Sequence, residues 1–370
     1  MNDSLIIDSL NNLIKQDIEN IKQTILLVDD EENNIQLLKR TLRGTYNILT
    51  ASNGKEALDV IDKQGDTISL VISDQKMPEM QGTDFLKIVS HTHPNIVKIL
   101  LTGHSDTDII VQSINECQLH QYILKPFEPE ELKVSIQNGL KKYELSAHKA
   151  LILKDLKELF YKTIKSISFA LDAKDPYTHG HSLRVTLYSL ILANNLGLSD
   201  ELLEEIETAG LLHDIGKIGI PQSILCKPGK LTDEEFEIMK NHPVQGEKMI
   251  GSIKKLKIIA NWLRTHHERW DGRGYPSGLK GEEIPISARI IALADTYDAM
   301  TSTRSYRKAL EHEVAIEEIK ICSGSQFDPA LAELFVKLED KIKEAKDNPE
   351  FYYAKYSYLQ QYIDTALAAS

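Results

Sequence analysis

The sequence has few cysteines, no long apolar run and no excess of basic charge. Its 370 residues include three cysteines, Cys117, Cys226 and Cys322, which lie far apart and form no CxxC pair. This spacing argues against a disulfide framework and favours a reducing compartment. Lys and Arg number 43 against 55 Asp and Glu, which gives a net charge of −12. Because nucleic-acid phosphates are bound by cationic surfaces, this charge argues against a general nucleic-acid-binding protein.

Candidate membrane spans and export signals are also missing. Apolar stretches such as 25–28 and 99–101 have the length of strands, whereas a membrane helix needs about 18 apolar residues or more. The first residues, Met1-Asn2-Asp3, carry acid where a signal peptide carries base. We therefore expect a soluble, cytoplasmic protein without a membrane span.

Length and patterning predict a multidomain chain, because a typical domain has roughly 100–200 residues. The predicted parts are an N-terminal helical extension (1–23), a first domain (24–142), a helical linker (143–164), a second domain (165–340) and a C-terminal tail (341–370). Apolar residues recur at helical spacing in the extension, which is typical of a cap or a dimer contact.

Five short apolar segments alternate with helical stretches in the first domain. They are residues 25–28, 46–50, 70–74, 96–102 and 121–125. This alternation predicts an α/β doubly wound fold with a parallel five-stranded sheet. Ligands of such sheets bind at the carboxyl ends of the strands. The polar residues at those predicted ends are Asp29, Asp30, Asp74, Thr102 and Lys125.

These polar residues indicate phosphoryl chemistry. Clustered aspartates repel one another unless a cation neutralises them, and oxygen ligands suit Mg²⁺. A Mg²⁺ ion beside a carboxylate can steady phosphoryl transfer onto it. Lys125 would supply a fixed positive charge for the phosphate, and Thr102 would supply a hydroxyl donor.

In order, these segments resemble the receiver domain of bacterial response regulators. The matching pieces are Val28-Asp29-Asp30-Glu31, Asp74-Gln75-Lys76-Met77-Pro78-Glu79-Met80-Gln81-Gly82, Leu101-Thr102-Gly103-His104 and Lys125-Pro126-Phe127. The resemblance implies that Asp74 accepts a phosphoryl group from a sensor histidine kinase. It also implies that Asp29, Asp30 and Asp74 hold Mg²⁺ and that Thr102 and Lys125 contact the phosphate. Tyr122 occupies the family's aromatic switch position, although an ordinary strand aromatic fits equally well.

Residues 129–165 are predicted to form one long helix. Leu145, Ile152 and Leu159 are seven residues apart, with Leu156 between them. This weak heptad pattern predicts pairing in a homodimer. A solitary amphipathic linker explains the pattern nearly as well.

The second domain has a helical pattern interrupted at Pro and Gly, which predicts an all-α fold. It contains seven potential metal ligands, namely His181, His213, Asp214, His242, His266, His267 and Asp295. The gaps between successive groups of these ligands are 32, 29, 24 and 29 residues, which fits one ligand group per helix or helical hairpin.

Seven nitrogen and oxygen ligands exceed what one metal ion commonly takes, so a two-metal site with a bridging carboxylate fits better. Imidazole and carboxylate without thiolate leave Fe, Mn, Ni and Zn open. Two metals about 3.5–4 Å apart can clamp a phosphodiester for in-line attack. Adjacent helical residues diverge by about 100°. His266 and His267 can therefore both reach the centre only if their helix ends or points there.

These motifs resemble the HD-GYP domain, a subgroup of the HD phosphohydrolase superfamily, over about residues 165–340. The matching pieces are His213-Asp214-Ile215-Gly216-Lys217, Gly274-Tyr275-Pro276, Ala294-Asp295-Thr296-Tyr297-Asp298-Ala299-Met300-Thr301 and Gln326-Phe327-Asp328-Pro329. The resemblance implies hydrolysis of cyclic di-GMP to pGpG or on to GMP, with iron or manganese as the usual metals. It also implies GGDEF-type diguanylate cyclases as partners.

The resemblance also assigns roles to individual residues. The first metal would be held by His181, His213, Asp214 and Asp295, and the second by Asp214, His242, His266 and His267. Asp214 and Lys217 would be catalytic, and Lys217, Arg304 and Arg307 would contact the substrate phosphates. Tyr177 stands where some members have a glutamate for a third metal. We therefore expect two metals and a weaker second hydrolytic step.

Together the two resemblances predict a response regulator in which phosphorylation of Asp74 controls a metal-dependent cyclic di-GMP phosphodiesterase. One alternative is a catalytically weak or inactive cyclic-dinucleotide sensor or scaffold that docks GGDEF proteins. Another is a phosphohydrolase for a different cyclic dinucleotide. A DNA-binding output is disfavoured by the net charge of −12 and by the lack of a convincing basic helix-turn-helix.

Overall fold

The chain divides into two compact units, Met1–Leu153 and Lys154–Ser370. A computed structural model describes residues 22–103, 116–174, 180–303 and 308–357. The helical extension predicted over residues 1–23 therefore lies outside the described residues, except for its last two positions.

Five strands form one parallel sheet in the first unit. The strands are β1 (Thr24–Val28), β2 (Asn47–Ala51), β3 (Ile68–Asp74), β4 (Val97–Thr102) and β5 (Gln121–Leu124). Their order is β2-β1-β3-β4-β5, and every neighbouring pair is parallel. The predicted five-stranded parallel sheet is confirmed. Because all strands run the same way, their carboxyl ends meet at one edge.

Helices cover both faces of this sheet. They are α1 (Glu32–Leu42), α2 (Gly54–Gln64), α3 (Gly82–Thr92) and the first part of α4 (Pro129–Lys174). Leu38 of α1 and Ile136 of α4 are buried on one face, and Ile61 of α2 and Phe85 of α3 on the other. Burial on both faces explains why the strands are apolar runs without alternation.

Helix α4 is longer than the sequence pattern predicts. The predicted end was residue 165, whereas the helix has 46 residues and ends at Lys174. Residues 140–174 contain neither Pro nor Gly, and the next residues are Asp175-Pro176. A residue that precedes proline is disfavoured in a helix, which ends α4 here. Tyr161 and Ile164, within the predicted linker, belong to the core of the second unit.

The second unit is all-α, as predicted. Its further helices are α5 (His181–Asn195), α6 (Asp200–Leu212), α7 (Gln222–Leu225), α8 (Asp233–Met239), α9 (His242–Ile250), α10 (Lys257–Thr265), α11 (Ile286–Thr301), α12 (His312–Ile321), α13 (Pro329–Lys337), α14 (Glu339–Asp347) and α15 (Pro349–Tyr356). A 3₁₀ helix, Ile215–Gly219, follows α6. The described part of this unit contains one isolated β-bridge and no strand.

The core of the second unit is built around α5. Tyr188 of α5 and Tyr297 of α11 are fully buried and meet edge to face, with ring centroids 5.1 Å apart. Ile342 of α14 and Tyr353 of α15 belong to the same core. Part of the predicted C-terminal tail therefore packs into the helical unit. None of the helices in the described ranges is both long enough and apolar enough to cross a bilayer.

Candidate functional site

The carboxyl edge of the sheet gathers three aspartates around one lysine. Carboxylate oxygens of Asp29, Asp30 and Asp74 all lie within 4.8 Å of one another. Lys125 Nζ lies 2.5 Å from Asp74 Oδ1 and 3.2 Å from Asp29 Oδ2. Thr102 is buried at the end of β4, beside this cluster in the strand order. All five predicted residues thus lie at the predicted edge.

Electrostatics at this edge favour a bound cation. Burial raises the pKa of Asp74, although Lys125 partly opposes the shift. Burial would lower the pKa of Lys125, but Asp74 and Asp29 raise it overall, so its ammonium stays charged. One ammonium does not neutralise three carboxylates, and hard oxygen donors with room for water suit Mg²⁺. The donor set therefore fits Mg²⁺.

In the second unit, the ends of helices place the histidines. His181 is the first residue of α5 and His242 the first of α9. His213 directly follows α6, and His266 directly follows α10. The condition for using both His266 and His267 is thereby met, because α10 ends at Thr265. Asp295 lies within α11.

The seven predicted ligands form two adjacent groups. His181, His213 and Asp295 make one group, and Asp214, His242, His266 and His267 make the other, with ligand atoms within 4.8 Å in each.

Asp214 lies between the groups. Its Oδ2 lies 3.8 Å from His181 Nε2 and 3.5 Å from His213 Nε2. Its Oδ1 lies 3.3 Å from His242 Nε2. One carboxylate can thus offer one oxygen to each group.

Three histidines are fixed by the same local hydrogen bond. Nδ1 of His213 donates to Gly210 O at 2.7 Å, Nδ1 of His242 to Met239 O at 2.8 Å, and Nδ1 of His266 to Leu263 O at 2.6 Å. Each acceptor belongs to the last turn of a helix, where carbonyls lack an intrahelical partner. The bond leaves Nε2 without its proton and turned toward the centre.

Those inward nitrogens fit a metal. Nε2 of His213, His242 and His266 is buried and has no hydrogen-bond partner among the described residues. Leaving a buried polar group unsatisfied costs about 1–3 kcal/mol. Burial lowers the pKa of His213, and burial together with His213 and His242 lowers that of His266 to about 3. Neutral imidazoles of this kind offer lone pairs to a cation.

Asp214 stays ionised although it is buried. Burial opposes its ionisation, but the Lys217 ammonium and neighbouring imidazoles hold the pKa of Asp214 well below its usual value. Lys217 Nζ donates a hydrogen bond to Asp214 Oδ2 from the 3₁₀ helix. That helix lies tight against α9, because a Cβ added at Gly216 would lie 1.9 Å from His242 O. Only glycine allows this approach.

Asp298 is a functional residue that the sequence reasoning missed. Its Oδ2 accepts a hydrogen bond from His181 Nδ1 at 2.7 Å. Arg184 donates to both of its oxygens, at 2.6 Å and 3.0 Å. Burial would raise the pKa of Asp298, but His181 and Arg184 lower it to about 2. The signal was available, since Asp298 follows Asp295 by three residues, on the same face of one helix.

The Gly-Tyr-Pro loop forms one wall of the site. The Tyr275 ring stacks on His267 with centroids 4.9 Å apart. Buried Glu268 accepts hydrogen bonds from the backbone N–H groups of Ser277 at 2.6 Å and Leu279 at 3.1 Å. A Cβ added at Gly274 would lie 2.4 Å from Glu268 Cα. The loop is therefore held against the histidine pair.

Other predicted residues fall elsewhere. Arg304, Arg307 and Tyr177 lie outside the described residues. Cys226 contacts the Lys174 carbonyl and is not in the ligand groups. Tyr122 is 41% exposed.

Known proteins match the chain in both units. The response regulator receiver domain model matches residues 25–137, and the HD domain model matches residues 165–331. A cyclic di-GMP phosphodiesterase of Thermotoga maritima is 34% identical over 340 residues, covering 86% of this chain and 91% of that protein. The cyclic di-GMP phosphodiesterase response regulator RpfG of Xanthomonas campestris pv. campestris is 32% identical over 329 residues, covering 85% and 87%.

A shorter match covers about half of this chain. The 3'3'-cGAMP-specific phosphodiesterase 2 of Vibrio cholerae is 38% identical over 193 residues, covering 52% of this chain and 37% of that protein. The two longer matches extend over nearly the full length of their proteins. The chain therefore belongs to the family of response regulators in which a receiver domain precedes an HD domain.

Proposed function

We propose that this protein is a response regulator whose HD domain is a metal-dependent phosphodiesterase for cyclic di-GMP, controlled by phosphorylation of Asp74. The observation that carries the proposal is the convergence of seven His and Asp ligands, with Asp214 between two groups. A binding scaffold has no need for three buried imidazole nitrogens that lack a hydrogen-bond partner among the described residues. The full-length relatives named as cyclic di-GMP phosphodiesterases support the choice of substrate.

The residues that would hold two divalent metals follow the two groups. His181, His213, Asp295 and Asp214 would bind the first metal, and Asp214 with His242, His266 and His267 the second. The donor set has no thiolate, so iron or manganese fits, with nickel and zinc as alternatives. The metals would supply Lewis-acid stabilisation of the phosphodiester charge and would acidify a water molecule.

The chain itself supplies positioning and charge. Lys217 lies beside Asp214 and would stabilise negative charge that develops on the attacked phosphate. Arg304 and Arg307 are proposed to contact the second phosphate of the dinucleotide. The ring of Tyr275 covers His267 and would limit access of water from that side.

In the receiver domain, Asp74 would accept a phosphoryl group from a sensor histidine kinase. Its carboxylate oxygen would attack phosphorus, and the kinase histidine would leave. Mg²⁺ held by Asp29, Asp30 and Asp74 would offset the added negative charge. Lys125, which contacts Asp74 at 2.5 Å, and Thr102 would then bind the phosphoryl oxygens.

We also propose a homodimer paired through α4. Leu145, Ile152, Leu156 and Leu159 are 63%, 48%, 59% and 64% exposed in the single chain. Four exposed aliphatic residues on one helix are typical of a seam covered by a partner helix. Light scattering on the full chain should give twice the 41.8 kDa chain mass, and Leu156→Lys should shift it to the monomer mass. GGDEF-type cyclases are proposed as further partners.

Product analysis tests the proposed activity. Protein purified without oxygen and loaded with Fe²⁺ or Mn²⁺ is incubated with cyclic di-GMP, with Asp214→Ala as the matched control. Chromatography should detect pGpG first, with GMP formed more slowly because Tyr177 replaces the third-metal glutamate. The contrary outcome is that the metal-loaded wild type forms no product, either with or without a phosphoryl mimic at Asp74. That outcome would support the sensor or scaffold alternative.

A second substrate, 3'3'-cGAMP, is tested because one relative of this chain is named for that substrate. The match to a 3'3'-cGAMP-specific phosphodiesterase covers about half of this chain. Equal amounts of 3'3'-cGAMP and cyclic di-GMP compete in one reaction, so the product ratio gives the ratio of kcat/KM. Preferential loss of 3'3'-cGAMP would replace the proposed substrate and leave the proposed reaction unchanged.

A further inference from the structure

The last turn of α4 contacts the segment that carries His213 and Asp214. Lys174 Nζ donates to three backbone carbonyls, those of Lys217 at 3.2 Å, Ile218 at 2.8 Å and Ile220 at 3.2 Å. An ammonium group has three protons, so these bonds use its full donor capacity. The carbonyls lie at the end of the 3₁₀ helix that begins directly after Asp214. Lys174 therefore fixes the position of that helix.

The same turn also holds the segment that carries His181. Asp172 is buried, and its Oδ1 accepts a hydrogen bond from Ser182 Oγ at 3.0 Å. It accepts a second hydrogen bond from the backbone N–H of Gly180. These two donors flank His181 on both sides. We call Asp172 and Lys174 together the α4 clasp, because two side chains from one turn hold two ligand-bearing segments.

A shift of the clasp would reach both metal groups. The 3₁₀ helix cannot slide alone, because Gly216 lies too close to the His242 carbonyl to leave free space. Displacement of Lys174 would therefore move His242 as well as Asp214, or else break three hydrogen bonds. Close-packed contacts of this kind transmit small displacements rather than absorb them.

Helix α4 begins in the core of the receiver domain. Leu132, Ile136 and Leu140 are buried there beside strands that lead to the aspartate cluster. The helix then continues without a break to Lys174. One helix therefore carries both residues of the receiver core and the clasp residues.

We propose that the α4 clasp transmits the state of Asp74 to the metal centre. Asp172 and Lys174 are positioning residues: they touch neither substrate nor metal, and they set the distance between the His181 and Asp214 segments. The inference rests on the proposed function, and it adds the contacts through which phosphorylation acts on the same site.

The test uses the full chain with Mn²⁺ and beryllium fluoride, which mimics a phosphoryl group on aspartate. Two quantities are measured with and without beryllium fluoride: the rate of cyclic di-GMP hydrolysis and the rate of Mn²⁺ release to a chelator. Lys174→Met removes the three hydrogen bonds and keeps the aliphatic side chain. Lys162→Met is the matched control, because Lys162 is exposed on the same helix and pairs only with nearby Glu158 among the contacts described.

For the wild type and Lys162→Met, beryllium fluoride should change both rates by about fivefold or more, a usual size for coupling between sites. For Lys174→Met both ratios should fall to about one, while beryllium fluoride still binds. Lys174→Arg keeps charge and donors, so it should retain part of the response. Asp172→Asn serves the same purpose if Lys174→Met does not fold, and its ratios should also approach one.

The outcomes separate this inference from the proposed function. Hydrolysis with a full beryllium fluoride response in Lys174→Met overturns the clasp and leaves the phosphodiesterase proposal intact. A wild type whose Mn²⁺ release does not respond to beryllium fluoride overturns it as well. A response in Mn²⁺ release that Lys174→Met abolishes supports the clasp even if no cyclic dinucleotide is hydrolysed, in which case the proposed substrate fails alone.

Discussion

The aspartate cluster of the receiver domain and the candidate metal-ligand groups of the HD domain both collect carboxylates, but they balance charge differently. In the receiver domain, Lys125 contacts Asp74 and Asp29 directly, while Asp30 is exposed to water. In the HD domain, the histidine nitrogens that face Asp214 are buried, and three of them have no hydrogen-bond partner among the described residues.

Under the proposed function, this difference separates a site that would exchange its ligands from one that would hold a resident cofactor. A carboxylate cluster with its own ammonium and access to water can gain and lose Mg²⁺ and a phosphoryl group at modest cost. A set of buried neutral imidazoles carries an unsatisfied polar group at each free nitrogen, which a bound metal removes. The first arrangement suits a reversible switch, and the second suits permanent catalytic metals.

The largest expected effect is the complete loss of phosphorylation, and it is confined to the receiver domain. Asp74→Asn should abolish covalent phosphorylation by a small acyl phosphate, because an amide does not accept the phosphoryl group. The metal content of the HD domain should be unchanged, and hydrolysis by the unphosphorylated protein should stay near the wild-type rate, because Asp74 is not a member of either HD ligand group. Phosphate-affinity electrophoresis and metal analysis check both, with Asp59→Asn on α2 as the exposed control. Metal loss in Asp74→Asn would contradict the separation of the two sites.

The next effect is confined to the HD domain. Asp214→Ala removes the carboxylate that lies between both ligand groups. Changes to partners of metal ligands already cost about 10–100-fold in affinity or activity, so loss of this ligand should exceed 100-fold in hydrolysis. Phosphorylation of Asp74 should persist. A variant that retains both metals and hydrolysis near the wild-type rate would disprove the bridging role.

A smaller effect is expected one contact away from the ligands. Asp298→Asn removes the charge that orients His181 through Nδ1 and should reduce metal affinity or activity by about 10–100-fold. Metal-binding titration measures this, with Asp340→Asn, a change at an exposed residue of α14, as the control. Equal affinity in the two variants would mean that His181 does not need its carboxylate partner.

The smallest effect concerns the loop rather than the metals. In Glu268→Gln, the amide carbonyl can accept from only one of the two N–H groups of Ser277 and Leu279, which costs about 1–3 kcal/mol of loop stability. KM for cyclic di-GMP should rise by about tenfold or less, and metal content should stay at the wild-type value. Steady-state kinetics and metal analysis test this. Metal loss would show that the loop supports the ligands themselves.

Much of the fold could be predicted because short-range patterns encode it. Apolar runs predicted the order and position of the five strands, and acids after β1 and at the end of β3 marked the sheet edge. The end of α4 was misjudged by nine residues, because Tyr161 and Ile164 of its second half pack into the core of the second unit. Helical spacing alone does not reveal such packing.

The seven candidate ligands could be chosen from residue type and order, since they stand in recognisable motifs, and the structure brings them into two groups. Their partners were harder to predict. Asp298 binds a histidine 117 residues earlier in the chain, and hydrogen bonds between distant segments leave no local pattern. Lys174 lies in no motif of the sequence. Its three hydrogen-bond acceptors are backbone carbonyls, which every residue type has, so the sequence does not distinguish them.

By itself, the sequence determined the two domain types, the five-stranded parallel sheet and the set of potential ligands, because these depend on residue chemistry and periodicity. The tertiary structure decided which imidazole nitrogen faces the centre, which carboxylate lies between the two groups, and where the long helix contacts them. Those features depend on where helices end and what packs against them. A carbonyl at a helix end can orient a histidine, and a glycine can allow close approach of a neighbouring backbone, only when the chain is folded.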